Sequence, residues 1–139
     1  MGAKEPRRTC ELAGYGTTAE LDSNLTEWNY GDYEGKKRDW ILARRPSWLI
    51  FRDGCPNGES PTEVGVRADR VISRLCEVGG NVLVFSSGHI LRVLIARWLG
   101  LEPSAGRYFR LGTAALSILG VDHSNRSEPV LRLLNESLT

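Results

Sequence analysis

Within seven residues, Ser86-Ser87-Gly88-His89-Ile90-Leu91-Arg92, the sequence sets two hydroxyls, an imidazole and a guanidinium beside one another. Such groups hold an anionic ligand or move a proton on it. A second group surrounds Glu27 in Leu25-Thr26-Glu27-Trp28-Asn29-Tyr30-Gly31-Asp32-Tyr33-Glu34-Gly35, where carboxylates alternate with aromatics. Two carboxyl groups, one kept protonated by an apolar setting and one ionised, suffice to hydrolyse a glycosidic bond. Asp32, Glu34, Asp53 and Glu59 are candidate partners for Glu27 in that chemistry. Each group also has a plainer role: packing for the aromatics, solvation for the loop carboxylates, surface ion pairs for Arg92, Arg107 and Arg110.

The elements that must position these groups follow from hydrophobic period. Val82-Leu83-Val84-Phe85 is apolar at every position and predicts a strand buried on both faces. From His89, the spacing of Ile90, Leu91, Val93, Leu94, Ile95 and Leu99 predicts a helix. A buried strand turning through small residues into a helix is half of a βαβ unit, whose ligands bind at the turn, here Ser86 to Arg92. Pro6 to Ala13 predicts a helix closed by Gly14, and Lys36 to Arg44 a shorter one. Trp48, Ile50 and Phe51 are expected to cover the core from a lid region. Asp53 to Gly58 is a breaker-rich loop containing Cys55. Ser60-Pro61-Thr62-Glu63 then opens a helix that runs to about Val78 and places Cys76 on its buried side. Ala114 to Val121 and Pro129 to Leu134 predict a hairpin whose turn exposes His123.

These segments resemble the histidine phosphatases, the phosphoglycerate-mutase-like superfamily, and especially its bacterial acid-phosphatase branch. That branch carries Ser-His-Gly-His-x-x-Arg before a helix ending Arg-Trp, and a Leu-x-Glu-Trp-x-Tyr-Gly-x-Tyr-Glu-Gly segment. Gly58-Glu59-Ser60 and Arg67 fit its pattern as well. The resemblance implies an α/β, three-layer fold with a mostly parallel sheet flanked by helices and an edge hairpin, incomplete here. It implies a general-acid role for Glu27. Anchored on Arg92 and Arg97-Trp98, the family's catalytic histidine falls on Ser87, and His89 matches the second histidine. Register from Thr9 puts Glu5 where the family has a phosphate-binding arginine, and the Arg-His-Gly strand would lie upstream. The expectation is one N-terminally truncated domain over 1–139, lacking the usual catalytic histidines.

Phosphohistidine turnover needs a histidine nucleophile, a second histidine, two arginines and an acid, and only Glu27 has a counterpart. The sequence therefore points to a hydrolase with changed chemistry, a carboxylate-dependent, glycosidase- or glucosidase-like enzyme acting on a sugar or sugar phosphate. Glu27, His89 and Ser87 would form its catalytic centre, and Arg92, Trp28, Tyr30, Tyr33 and Glu59 would hold the substrate. The alternative is a degenerate phosphatase that binds a phosphorylated ligand, or a non-catalytic module.

A chain of 139 residues with 18 basic and 17 acidic side chains gives no case for a nucleic-acid or membrane partner. Its start lacks a signal-peptide core, and its apolar runs are too short to span a bilayer. Three cysteines without CxxC spacing argue against a disulfide framework or metal site, so no cofactor and a cytoplasmic setting are expected. Loss of a central strand would leave an apolar sheet edge unpaired, which predicts a homodimer.

Overall fold

The computed structural model describes residues 4–122 and 128–137, so His123 lies outside the described residues. Helix α1 (Lys4–Leu12) leads through 3-10 turns at Ser23–Leu25 and Gly31–Tyr33 to α2 (Arg38–Arg44) and the short α3 (Ile50–Asp53). Helices α4 (Pro61–Val78) and α5 (Gly88–Trp98), a 3-10 segment at Pro103–Tyr108, and strands β1 (Leu116–Val121) and β2 (Pro129–Glu136) complete the order.

Helix α4 starts where its capping chemistry dictates. The Glu63 amide donates to Ser60 Oγ at 3.2 Å, and the Ser60 amide donates to Glu63 Oε2 at 2.7 Å. Two donors that the first turn would leave orphaned are thereby satisfied. Val64, Ala68 and Val71 recur on one face and are buried, with Ile72 and Leu75 packed beside them. Against this stripe lies α5, which buries Ile90, Val93, Leu94, Ile95 and Ala96. Trp28, Ile41, Trp48, Ile50 and Phe51 extend the same core. Each fully buried aliphatic side chain contributes about 2 kcal/mol of transfer free energy. Cys76 is exposed, contrary to expectation, because its neighbour Leu75 takes the last turn of the buried stripe and the next residue points about 100° away.

The hairpin forms as expected, with Val121 opposite Pro129 and Ile118 opposite Leu133. It is tied to α5 by the Trp98 indole, whose Nε1 donates to Gly120 O at 3.0 Å. Among the described residues this two-stranded antiparallel ladder is the only sheet. Val82 to Phe85 is not a ladder strand there, and Val82 and Leu83 are 46% and 50% exposed. The correction has a simple cause: a β-forming run becomes a strand only when another backbone takes its amides and carbonyls.

Replacing Ser60 with Ala is expected to cost about 1 kcal/mol through the lost cap. Urea unfolding of Ser60→Ala beside Thr62→Ala, which touches no cap, measures it.

Candidate functional site at the start of helix α5

Helix α5 begins at Ser87, whose side chain makes no capping bond to the helix. Its first amides are met from 62 residues away. Glu27 Oε2 accepts from the His89 amide at 3.1 Å, and Oε1 accepts from the Ile90 amide at 2.9 Å and the Trp28 amide at 2.8 Å. A carboxylate at this place satisfies orphan donors and complements the partial positive charge of the helix start.

The loop that delivers Glu27 is fastened at several points. Arg67 NH1 donates to Asn24 O at 2.8 Å and to Thr26 O at 2.7 Å, while Nε and NH2 grip Glu59, each at 2.8 Å. Glu59 Oε1 also accepts from the Asn29 amide at 2.8 Å. The Trp28 indole donates to Glu59 O at 2.9 Å and its ring meets Phe51 edge-on at 5.6 Å. The Glu27 and Glu59 loops clasp through Asp32 N to Pro56 O (2.8 Å) and Glu59 N to Asn29 O (2.9 Å). Gly31, at φ +52°, and Gly58 allow this, because a Cβ on either would collide with the backbone of the facing loop.

His89 packs against this loop. Its Nδ1 is 2.6 Å from the Tyr30 hydroxyl and 3.8 Å from Glu27 Oε2, and its ring lies 5.5 Å from both Tyr30 and Phe51. Burial pushes the imidazole below its ordinary value; the Glu27 charge opposes this and Arg92 adds to it. Burial, reinforced by the Glu27 charge, pushes the Tyr30 phenol far upward, so it keeps its proton. The hydroxyl and Nδ1 share one hydrogen bond, which fixes the ring's orientation.

Arg92 leans over the Phe51 ring at 4.5 Å and donates to Gly106 O at 3.1 Å and Arg107 O at 2.9 Å. Burial, and then the charge of Arg110, lowers its pKa. Among the described residues no carboxylate is ion-paired with Arg92, Arg107 or Arg110.

The structure thus gathers Glu27, Tyr30, His89 and Arg92, with Ser87 at the head of the helix. The residues expected to hold substrate are placed as follows. Trp28 is 2% exposed, and Tyr33 meets Trp48 edge-on at 5.4 Å. Tyr30 is bonded to His89, Glu59 to Arg67, and Arg92 to backbone carbonyls, so these side chains first serve the protein's own packing. Two of the candidate second carboxylates are engaged as well. Asp53 pairs with Arg52, which holds it at about 2, and Asp32 accepts from Asn57. Cys55 is buried rather than loose, and burial pushes its thiol up to about 11, away from nucleophilic use. The clamp by Arg67 and the Phe51 floor under His89 were not foreseen as parts of the site. The sequence signals for the clamp were the fit of Gly58-Glu59-Ser60 and Arg67 to the family pattern and the place of Arg67 eight residues beyond Glu59 across a helix cap. Among the described residues no three histidine, cysteine or carboxylate groups are placed to hold a metal ion.

A family profile described as the histidine phosphatase superfamily (branch 1) matches residues 6–136. The chain belongs to that superfamily. It is 40% identical over 134 residues to an acid phosphatase of Mycobacterium tuberculosis, covering 92% of this chain and 66% of the relative. It is 38% identical over 98 residues to the sedoheptulose 1,7-bisphosphatase of Saccharomyces cerevisiae, covering 58% of this chain and 36% of that enzyme. The chain thus spans just under two thirds of the first relative's length and about a third of the second's. The solved structure of Mycobacterium tuberculosis open reading frame Rv3214 superimposes with a TM-score of 0.89 at 35% identity, over 96% of this chain and 68% of that one. These findings establish the histidine-phosphatase-like α/β fold. They overturn the expectation of a glycosidase-like enzyme, because relatives at 40% and 38% identity are named phosphatases.

Two outcomes are expected. Arg67→Met should cost about 2–3 kcal/mol, as charged hydrogen bonds at Glu59, Asn24 and Thr26 are lost, and Arg67→Lys should not rescue it because lysine lacks the fork; urea unfolding reads both. The folded His89 binds its proton less readily than the unfolded chain, whose histidine titrates near about 6.5. Below that pH the unfolded state holds more protons, so stability falls as pH drops from about 6.5. Asp53, depressed to about 2, loses its contribution only further into acid. The unfolding midpoint should therefore drop between pH 7.5 and 5.5, and much less so in His89→Gln.

Proposed function

We propose that this chain recognises the phosphoryl group of a small phosphorylated metabolite at the start of α5, without phosphohistidine chemistry from its own residues. The observation that carries the reading is the Arg92 guanidinium, held over the Phe51 ring with the charge of Arg110 acting on it and no carboxylate ion-paired to either arginine among the described residues. Uncompensated guanidinium groups suit a phosphate dianion, which accepts several charge-assisted hydrogen bonds. The acid phosphatase and bisphosphatase relatives support the same ligand class. Ser87 stands where the family resemblance implies a catalytic histidine, and a hydroxyl brings neither the charge nor the basicity of an imidazole. In this reading Glu27 acts first as the cap that holds His89 in place, and Arg92 as the strut that fixes the Gly106–Arg107 backbone beside the site. His89 offers the ligand a neutral imidazole.

Three free cysteines are consistent with a reducing, cytoplasmic setting. Among the described residues no helix is long and apolar enough to cross a membrane.

Calorimetric titration with inorganic phosphate tests the proposal, alongside release of nitrophenol from nitrophenyl phosphate. Binding by the chain is expected, weakened about tenfold or more in Arg110→Ser, the loss of roughly 1.4 kcal/mol, with no turnover. Absence of binding, or binding indifferent to Arg110, overturns the site. Turnover by the unsubstituted chain overturns the claim about Ser87.

A further inference from the structure

His89 stands between groups of opposite charge. Glu27 Oε2 lies 3.8 Å from its Nδ1, the Tyr30 hydroxyl lies 2.6 Å from the same nitrogen, and the charge of Arg92, three residues along α5, acts on the ring from the other sign. Trp28 and Phe51 wall the ring at 6.3 and 5.5 Å and bring no charge. Even so, 33% of the side chain stays exposed. Nδ1 is the occupied edge of the ring, which leaves Nε2 for a ligand. The same arrangement has room for a second ring proton, because an imidazolium donates from both nitrogens. The Tyr30 oxygen can accept from Nδ1–H as well as donate to a bare Nδ1, and Glu27 stands within ion-pair range of that edge.

We infer that the site takes up its phosphoryl dianion together with one proton, which His89 holds as an imidazolium between the ligand and the Tyr30–Glu27 pair. The proton rests on the phosphate reading, since only the ligand's charge calls for it. With the dianion seated, Glu27 and the ligand together outweigh Arg92 and Arg110 by one negative charge, and a proton on His89 restores the balance. Before the ligand arrives, burial and Arg92 keep the ring neutral against the pull of Glu27. An opposite charge brought within about 4–6 Å favours the charged form by about 1–3 pH units. Uptake moves one proton from solvent to the ring, and no bond to phosphorus forms or breaks. Because the ligated site holds the extra proton, affinity for the dianion falls as pH rises between the free and ligated midpoints, by up to about tenfold per pH unit.

The chain has two histidines, so His123→Gln leaves His89 alone in the imidazole region of a proton NMR spectrum. Its titration is followed with and without saturating inorganic phosphate, at ionic strength matched with chloride. A midpoint raised by about one pH unit or more is expected, which is tenfold tighter proton binding. Adding Tyr30→Phe should make that gain about threefold smaller; an undiminished gain overturns the part given to the hydroxyl. An unchanged midpoint in a chain that calorimetry shows to bind phosphate overturns the inference and leaves the phosphate reading intact. Absence of calorimetric binding strikes that reading, and the inference with it. Should a variant fail to fold, the unsubstituted chain decides, since two histidine resonances that both ignore bound phosphate overturn the inference equally.

Discussion

A single carboxylate organises this molecule. Helix α5 starts without a side-chain cap of its own, and Glu27 crosses from a distant loop to accept hydrogen bonds from its first amides. Remove that carboxylate and the helix start is left with unmet donors, while the loop around Glu27 loses the charge that draws it in. The position of His89, and with it the whole cluster of ionisable groups, follows from this one contact.

The contact is held from the other side by Arg67, whose fork joins Glu59 to the carbonyls of Asn24 and Thr26. Both partners of the Arg67–Glu59 pair are mostly covered, so neither charge has an easy substitute in water. Trp28 and Phe51 then fill the space beneath, which is why aromatics that look suited to ligand stacking are spent on packing. A site built this way is stiff at its base. Around it stand His89, Arg92 and, at the helix head, a serine where the family resemblance implies a histidine.

Family membership and local chemistry therefore point in different directions, and the physical reason is that they depend on different residues. Fold is carried by the capping box, the apolar stripes of α4 and α5, and the clasped loops with Gly31 and Gly58. Turnover would depend on a few side chains at the helix head, and one substitution there changes the reaction without disturbing any of those supports. The glycosidase expectation falls to the phosphatase relatives, while the identity of Ser87 is a fact about this chain.

The helices and the hairpin were legible because their signals are local. Ser60-Pro61-Thr62-Glu63 fixes the start of α4 through atoms within one turn, and the spacing of Ile90, Val93 and Leu94 fixes the buried face of α5. The motif around Glu27 likewise marked the loop that meets the start of α5. Tertiary structure alone decided what those groups touch: that Glu27 caps α5, that Tyr30 bonds His89, that Glu59 and Arg92 serve the scaffold, and that Cys55 is buried. It also decided that Val82 to Phe85 lacks a ladder among the described residues. A helix closes its hydrogen bonds within its own sequence, so periodicity announces it. A strand, a salt bridge or a cap supplied from sixty residues away is completed by a partner that the local sequence does not name.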